Sequence, residues 1–208
     1  MIKAGPDTNS IKKSRGIRMM DLLISTALLF CSLPISAFIA ALIMIFDGRP
    51  IFFKQVRTGL GMKDITIIKF RTMMVGSERF ENCRIQFLNE PNIQTEKDDR
   101  VTKVGKILRH LSLDELPQLF LVLRGKMSLV GPRPLIKAEV EKLPSKYLLR
   151  FQVTPGITGL AQVSGRGRLS IWNILDLDLQ WTDNYSVKLY IQILWKTLFA
   201  IFRTKEAL

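Results

Sequence analysis

The longest pattern in the chain is a run without charge. From Leu22 to Phe46, 25 residues are apolar or small and none is ionisable as Asp, Glu, Lys or Arg. At 1.5 Å per residue the run predicts a helix of roughly 37 Å, long enough to span a bilayer core. It lacks a small-x-small signature near its end and is long for a signal-peptide core, so it does not read as a cleaved leader. Pro34 lies in its middle, with Ser32 and Ser36 beside it. A mid-helix proline removes a backbone hydrogen bond and bends the helix, and nearby hydroxyls can satisfy the freed carbonyls. Lys3, Lys12, Lys13, Arg15 and Arg18 precede the run, while Arg49, Lys54, Arg57, Lys63, Lys69 and Arg71 follow it. Basic flanks favour the cytoplasmic side of a membrane. With both flanks basic, a helix-break-helix that dips in and returns to the same side violates this rule least. The competing reading is a single kinked span.

Beyond Asp47-Gly48-Arg49-Pro50 the period shortens. Residues 51–57 and 64–70 are rich in β-branched and aromatic side chains, and the glycine-containing segment 58–63 joins them, which predicts a β-hairpin. Segment 76–100 is polar and charged and reads as a short helix followed by a loop. A helix is expected over Val104–Leu111, and another from near Asp114 through Leu123, ending at Arg124-Gly125. Met127–Pro134 holds two prolines and a glycine, a rigid loop that projects Arg133. A helix around Lys137–Phe151 precedes a second rigid loop, 154–159. Gly165–Arg168 is a flexible basic turn, and Trp172–Trp181 looks helical. Val187–Phe202 is apolar, with Lys188, Tyr190, Trp195 and Lys196. It is short for a span and fits either an interfacial helix with snorkelling lysines or a buried core helix.

The expected fold is therefore α+β and mainly α. It comprises an N-terminal re-entrant membrane helix-break-helix, a small β-hairpin and several amphipathic interfacial helices around an active site. Three segments are expected: a basic stretch over 1–18, the membrane helix over 19–48, and a membrane-associated catalytic domain over 49–208.

Composition narrows the partners. The net charge is +13 while 47% of residues are hydrophobic. Long apolar runs with this charge suit an anionic membrane surface and phosphorylated substrates rather than nucleic acid. Cys31 lies in the apolar run and Cys83 in a polar stretch, which points to free thiols and a reducing compartment. His110 is the single histidine, so a histidine-rich zinc site is excluded.

The chemistry concentrates at Leu111–Leu119, where Asp114 and Glu115 stand together at a helix start. With Asp114 as N-cap, Pro117 falls in the tolerated first turn. With Ser112 as N-cap, Glu115 completes a capping box but Pro117 removes a bond. In both registers Asp114 sits at the positive end of a helix, which favours its ionised form and any phosphate beside it. A plain capping role for the pair is the alternative. Arginines and lysines on rigid loops suit phosphate oxygens, although Arg133 could equally be a structural arginine on a turn. An aspartate that attacks phosphorus splits one difficult transfer into two easier ones.

Ser112–Leu119 followed by Met127–Pro134 resembles the signature of the bacterial sugar transferases, the monotopic phosphoglycosyl transferases. The likeness extends to Lys69–Met73, to Asp99–Thr102 with Gly105 and Arg109, and to Pro155–Gly159 with Ala161–Val163. It is to the small catalytic-core members of that family. The chain departs from the family pattern at Leu33, Lys126, Phe151, Leu160 and Tyr190, none of them in the acidic pair. The resemblance implies transfer of a sugar-1-phosphate from a UDP-sugar to polyprenyl (undecaprenyl) phosphate with release of UMP, the first membrane step of bacterial glycan assembly. It implies Asp114 as nucleophile and Mg²⁺ ligand and Glu115 as its partner. Lys69, Arg71, Arg100, Arg109 and Arg133 would bind phosphates, and Ser32 and Pro34 would break the helix. It also implies Mg²⁺ as cofactor and a place on the cytoplasmic face of the inner membrane among anionic lipids, with a homodimer left open. A catalytically inactive scaffold on the same fold is the alternative.

Overall fold

A computed structural model describes residues 11–77, 99–165 and 169–202. The first helix, α1, runs Arg15–Phe46 and is capped by the Ser14 side chain, which accepts from the Ile17 N–H. It therefore takes in Arg15 and Arg18, which the sequence reading assigned to the preceding basic stretch. Its buried positions are Ile17, Asp21, Ser25, Ser32, Ile39 and Ile43, a stripe at helical spacing. Between the buried ends, Leu28, Phe30, Leu33, Ile35 and Phe38 are exposed. By length and composition α1 could cross a membrane.

The expected break at Ser32 and Pro34 does not appear as an interruption of the helix. α1 is helical through Pro34 instead of dividing there into two helices. The Ser32 hydroxyl donates to the Leu29 carbonyl at 3.0 Å, whereas the carbonyl that Pro34 deprives of a donor is that of Phe30. The lost bond is tolerated because the turns on either side are held by packing. Ile17 joins a core cluster with Leu121, Val122, Met127, Leu129, Tyr190 and Ile193. Ile39 and Ile43 join another with Phe70 and Leu108. Burying a large aliphatic or aromatic side chain contributes about 1.5–3 kcal/mol, so either cluster outweighs one missing bond.

The hairpin matches its prediction within a residue. Strands β1 (Phe52–Thr58) and β2 (Asp64–Phe70) are antiparallel, with Phe52 opposite Phe70 and Thr58 opposite Asp64. A 3₁₀ turn, Leu60–Met62, joins them. The period-2 alternation points Ile65 and Ile67 into the main core. Lys69 is next in that row.

Helix α2 (Lys103–His110) packs tightly against the exit of β2. A side chain at Gly105 would meet the Thr72 carbonyl oxygen at 2.2 Å, so only glycine fits there. A 3₁₀ turn over Leu113–Gln118 carries the acidic pair, and helix α3 (Leu119–Leu123) follows. The single helix expected from Asp114 to Leu123 is thus divided. Pro117 lacks the N–H that a continuous helix would use.

The two rigid loops prove to contain a sheet. Strands β3 (Ser128–Val130) and β4 (Gly156–Thr158) pair in parallel. A Cβ on Gly156 would lie 2.0 Å from the Gly131 nitrogen, so the two chains approach back to back at glycine. Helix α4 (Lys137–Lys142) is shorter than expected. Leu143 adopts the extended conformation demanded before Pro144, and the chain resumes as a 3₁₀ segment over Ser145–Gln152.

Helices α5 (Leu160–Gly165), α6 (Ile171–Asp183) and α7 (Val187–Phe202) complete the body. Tyr190 and Ile193 of α7 are buried in the core, while Ile191, Trp195, Leu198 and Phe199 are exposed on its other face. The helix and loop expected over 76–100 fall largely on 78–98, outside the described residues, as do Arg166 and Arg168 of the basic turn.

Candidate active site

The acidic pair is placed by what surrounds its turn. Ser112 precedes it in the left-handed conformation, φ 56°, with no side-chain cap. The Ser112 side chain therefore does not complete a capping box. Leu116, in the same turn, packs against both clusters that hold the ends of α1. The turn is wedged between β2, α1 and α2, and its carboxylates emerge beside Lys69.

Lys69 Nζ lies 2.5 Å from Glu115 Oε1 and 3.9 Å from Asp114 Oδ2. The inward row Ile65–Ile67 thus ends in a cation that bridges both acids. Asp114 is 8% exposed. Burial pushes its carboxyl above the ordinary value of 3.8; Lys69 and Arg109 oppose that shift and Glu115 adds to it. This reverses the expectation that the helix start alone would favour the ion, because desolvation outweighs the local dipole here. Arg109 is oriented by its Nε, which donates to Thr72 Oγ1 at 2.9 Å. Lys69, Arg109, Asp114 and Glu115 therefore form one electrostatic group.

Arg71, expected to bind phosphate, has backbone partners in this structure. It is buried, and its Nη2 donates to the carbonyls of Asp47 and Gly48 at 2.7 Å each. Nη1 reaches the Arg49 carbonyl at 3.4 Å. The guanidinium clasps the C-terminal end of α1, where a cation meets unpaired carbonyls. Asp47 Oδ2 in turn accepts from the Thr102 hydroxyl at 2.8 Å, tying the same end to the start of α2. Arg100 is drawn to the β2 exit through its carbonyl, which accepts from the Met74 N–H at 2.9 Å. Arg133 is exposed on the Gly131–Pro134 loop. That loop is fastened by Arg57, whose Nη1 donates to the Pro134 carbonyl at 2.9 Å, and by Arg150, whose Nη2 donates to the Arg133 carbonyl at 2.7 Å.

Three polar groups were not singled out in the sequence. Asp21 is buried where α1 meets β3 and α7. Arg150 and Asp178 form an ion pair at 2.5 Å with side chains 1% and 2% exposed. The signal at Asp21 was a lone acid set among basic residues at the edge of an apolar run. The other two carried no local signal, since their partner lies 28 residues away.

Among the described residues no cluster of three or more His, Cys, Asp or Glu side chains converges. A cation enclosed wholly by protein does not suit this site. Two adjacent carboxylates do suit Mg²⁺, which commonly takes its remaining ligands from phosphates and water.

A carboxylate pair bridged by Lys69 thus lies beside Arg109, on a body that carries a long apolar helix. The chain belongs to the bacterial sugar transferase family, whose model matches residues 12–204. It is 41% identical over 181 residues to the uncharacterized sugar transferase EpsL of Bacillus subtilis, covering 87% of this chain and 84% of that protein. It is 41% identical over 199 residues to the UDP-glucose:undecaprenyl-phosphate glucose-1-phosphate transferase of Klebsiella pneumoniae, but spans only 41% of that protein's length. The exopolysaccharide production protein ExoY of Rhizobium meliloti is 36% identical over 206 residues, with 94% of this chain and 90% of ExoY covered.

Proposed function

We propose that the protein transfers a sugar-1-phosphate from a UDP-sugar to polyprenyl (undecaprenyl) phosphate, as the first membrane step of a bacterial glycan. The observation that carries this reading is Lys69 bridging Asp114 and Glu115 in a partly desolvated turn. In the first step an Asp114 carboxylate oxygen attacks the phosphorus that bears the sugar. The new bond is Asp114 O–P, the diphosphate P–O bond breaks, and UMP leaves with that oxygen. In the second step a phosphate oxygen of the lipid attacks the same phosphorus, and the Asp114 carboxylate is restored as its bond to phosphorus breaks.

Lys69 and Arg109 lower the cost of ionising a buried Asp114 and hold positive charge where the transferring group becomes more negative. Glu115 orients Lys69 and accepts a proton from the incoming lipid phosphate. Arg133 and Arg100 bind the donor's diphosphate from their loops. Asp114 and Glu115 would hold Mg²⁺ against that diphosphate, and the bound ion supplies charge neutralisation.

The membrane reading rests on α1. Both its ends dock on one body, through Ile17 and through Ile43, while its apolar middle is exposed. A helix held this way dips into one leaflet from the cytoplasmic face, and anionic lipid attracts the basic body. The donor named for the Klebsiella relative, UDP-glucose, is the first to try.

The test is intact-mass analysis of detergent-purified protein with Mg²⁺ and a panel of UDP-sugars, without lipid acceptor. A sugar-phosphate adduct on the wild type and none on Asp114→Asn supports the two-step transfer and identifies the sugar. No adduct, and no UMP on adding polyprenyl phosphate, would leave an inactive scaffold on this fold as the better description.

A further inference from the structure

Asp21 stands apart from the acidic pair, yet it is among the most heavily hydrogen-bonded carboxylates described. Its Oδ1 accepts three donors: the Ser128 hydroxyl at 3.0 Å, the Leu129 N–H at 2.8 Å and the Tyr190 hydroxyl at 2.7 Å. All three residues belong to β3 or α7, more than 100 positions along the chain. The Leu129 N–H is available because, among the described residues, β3 pairs on one edge only. Ser128 and Val130 are in register with β4, so Leu129 points its N–H the other way. The Asp21 carboxylate closes that edge in place of a strand. Burial, and then the neighbouring Asp21 charge, push the Tyr190 phenol far above neutral pH, so it remains a donor.

One turn earlier on α1, Arg18 reaches a second partner. Its Nη1 donates to the Val122 carbonyl at 2.6 Å and its Nη2 to the Leu123 carbonyl at 2.8 Å. These are the last carbonyls of α3, the helix that continues directly from the turn bearing Asp114. Arg18 therefore grips the segment that leaves the acidic pair. Asp21 grips the strand that leads, two residues later, into Gly131–Pro134 and Arg133. Met127, between the two grips, is 1% exposed, so this connection is packed.

We propose that Asp21, with Arg18, is a positioning residue that sets the Arg133 loop against the Asp114 turn, so that one turn of the membrane-associated helix fixes the active-site geometry. The proposal rests on the transfer reading above and deepens it. Neither residue touches the reacting atoms. Their effect is on alignment, where a displacement of about 1 Å can cost about 100-fold in rate. Because all three donors converge on Oδ1, the device depends on an acceptor oxygen and not on charge.

The experiment is the single-turnover rate of adduct formation on Asp114 at saturating UDP-sugar, in full-length protein, normalised to the adduct-competent fraction. That normalisation removes any loss of folded protein, which is all that a merely structural role would produce. Asp21→Ala is expected to slow the step about 100-fold. Asp21→Asn, whose amide oxygen can accept the same three bonds, is expected to stay within about fivefold of wild type. Tyr190→Phe and Ser128→Ala each remove one donor and are expected to slow the step about three- to tenfold, which keeps the test decisive if Asp21→Ala does not fold. Wild-type rates in folded Asp21→Ala, or in both single-donor variants, would overturn the proposal. So would an Asp21→Asn as slow as Asp21→Ala. A wild type that forms no adduct overturns the transfer reading and this proposal with it, whereas an adduct-forming wild type whose variants match it overturns only the positioning role.

Discussion

At the scale of single residues, Asp114 is held where ionisation is costly. Its folded pKa is raised above 3.8, so the folded protein binds that proton more tightly than the unfolded chain does. The stability this contributes is fully present below the unfolded value and is lost as pH rises through the folded one. At pH 7 the ionised carboxylate is a net burden on the fold. Asp114→Asn keeps the shape and removes the charge. Thermal unfolding at pH 7 should show a higher Tm for this variant, with the gain disappearing toward pH 3. The same protein should lose sugar-phosphate transfer by at least about a thousandfold. A lower Tm at pH 7 would mean that the attraction of Lys69 and Arg109 outweighs the burial. In the wild type the rate should climb with pH along a limb whose midpoint lies above 3.8.

At the scale of elements, helix α2 delivers Arg109 only because Gly105 lets it touch the β2 exit. Gly105→Ala would place a Cβ 2.2 Å from the Thr72 carbonyl oxygen, against backbone that cannot swing away. Overpacking of this kind costs about 1–3 kcal/mol, and the displaced helix carries Arg109 with it. Chemical denaturation should register the loss of stability and the adduct assay a loss of rate. An unchanged pair of values would show that α2 is not anchored there. Local pattern made this region legible. The hairpin announced itself by two stretches rich in β-branched and aromatic residues around a glycine-containing turn, and α2 was expected over Val104–Leu111. The division of the Asp114–Leu123 segment was legible only as two rival cap assignments, one that tolerates Pro117 and one in which Pro117 removes a bond. The pairing of β3 with β4 was not legible, because three-residue strands have no period and their partners lie 28 residues apart. The hold of Arg71 on the end of α1 was not legible either, because Asp47 and Gly48 lie 24 and 23 residues away.

Helix α1 is also where topology can be decided. Lys13 and Arg49 flank it and are exposed. In a background with both native cysteines replaced, K13C and R49C should react with a membrane-impermeant maleimide from the same side of sealed inverted vesicles. Labelling from opposite sides would establish a span and overturn the dip.

At the scale of the whole molecule, the second apolar surface is on α7. Its inner face is core, with Tyr190 and Ile193 buried, yet Ile191, Trp195, Leu198 and Phe199 are exposed on the other. Trp195 and Phe199 meet edge to face, ring centres 5.1 Å apart, and Lys188 and Lys196 are exposed along the same helix. Aromatic rings at headgroup depth with lysines reaching outward are the pattern of a helix lying in an interface. The net charge of +13 adds attraction to an anionic leaflet. If α7 and the exposed middle of α1 sit in one leaflet, Trp195 is in contact with acyl chains near the glycerol level. Lipids brominated at that depth should then quench tryptophan emission of the reconstituted protein. W195F should remove most of the quenchable signal, because Trp181 is 1% exposed and enclosed by protein. W172F serves as the control, since Trp172 packs against Tyr147 on the other exposed tryptophan position. Quenching that survives W195F would place α7 away from lipid and leave α1 to hold the membrane alone. Quenching that vanishes with W195F would join two elements, distant in sequence, into one membrane-facing surface, with Asp21 and Tyr190 bonded to each other behind it.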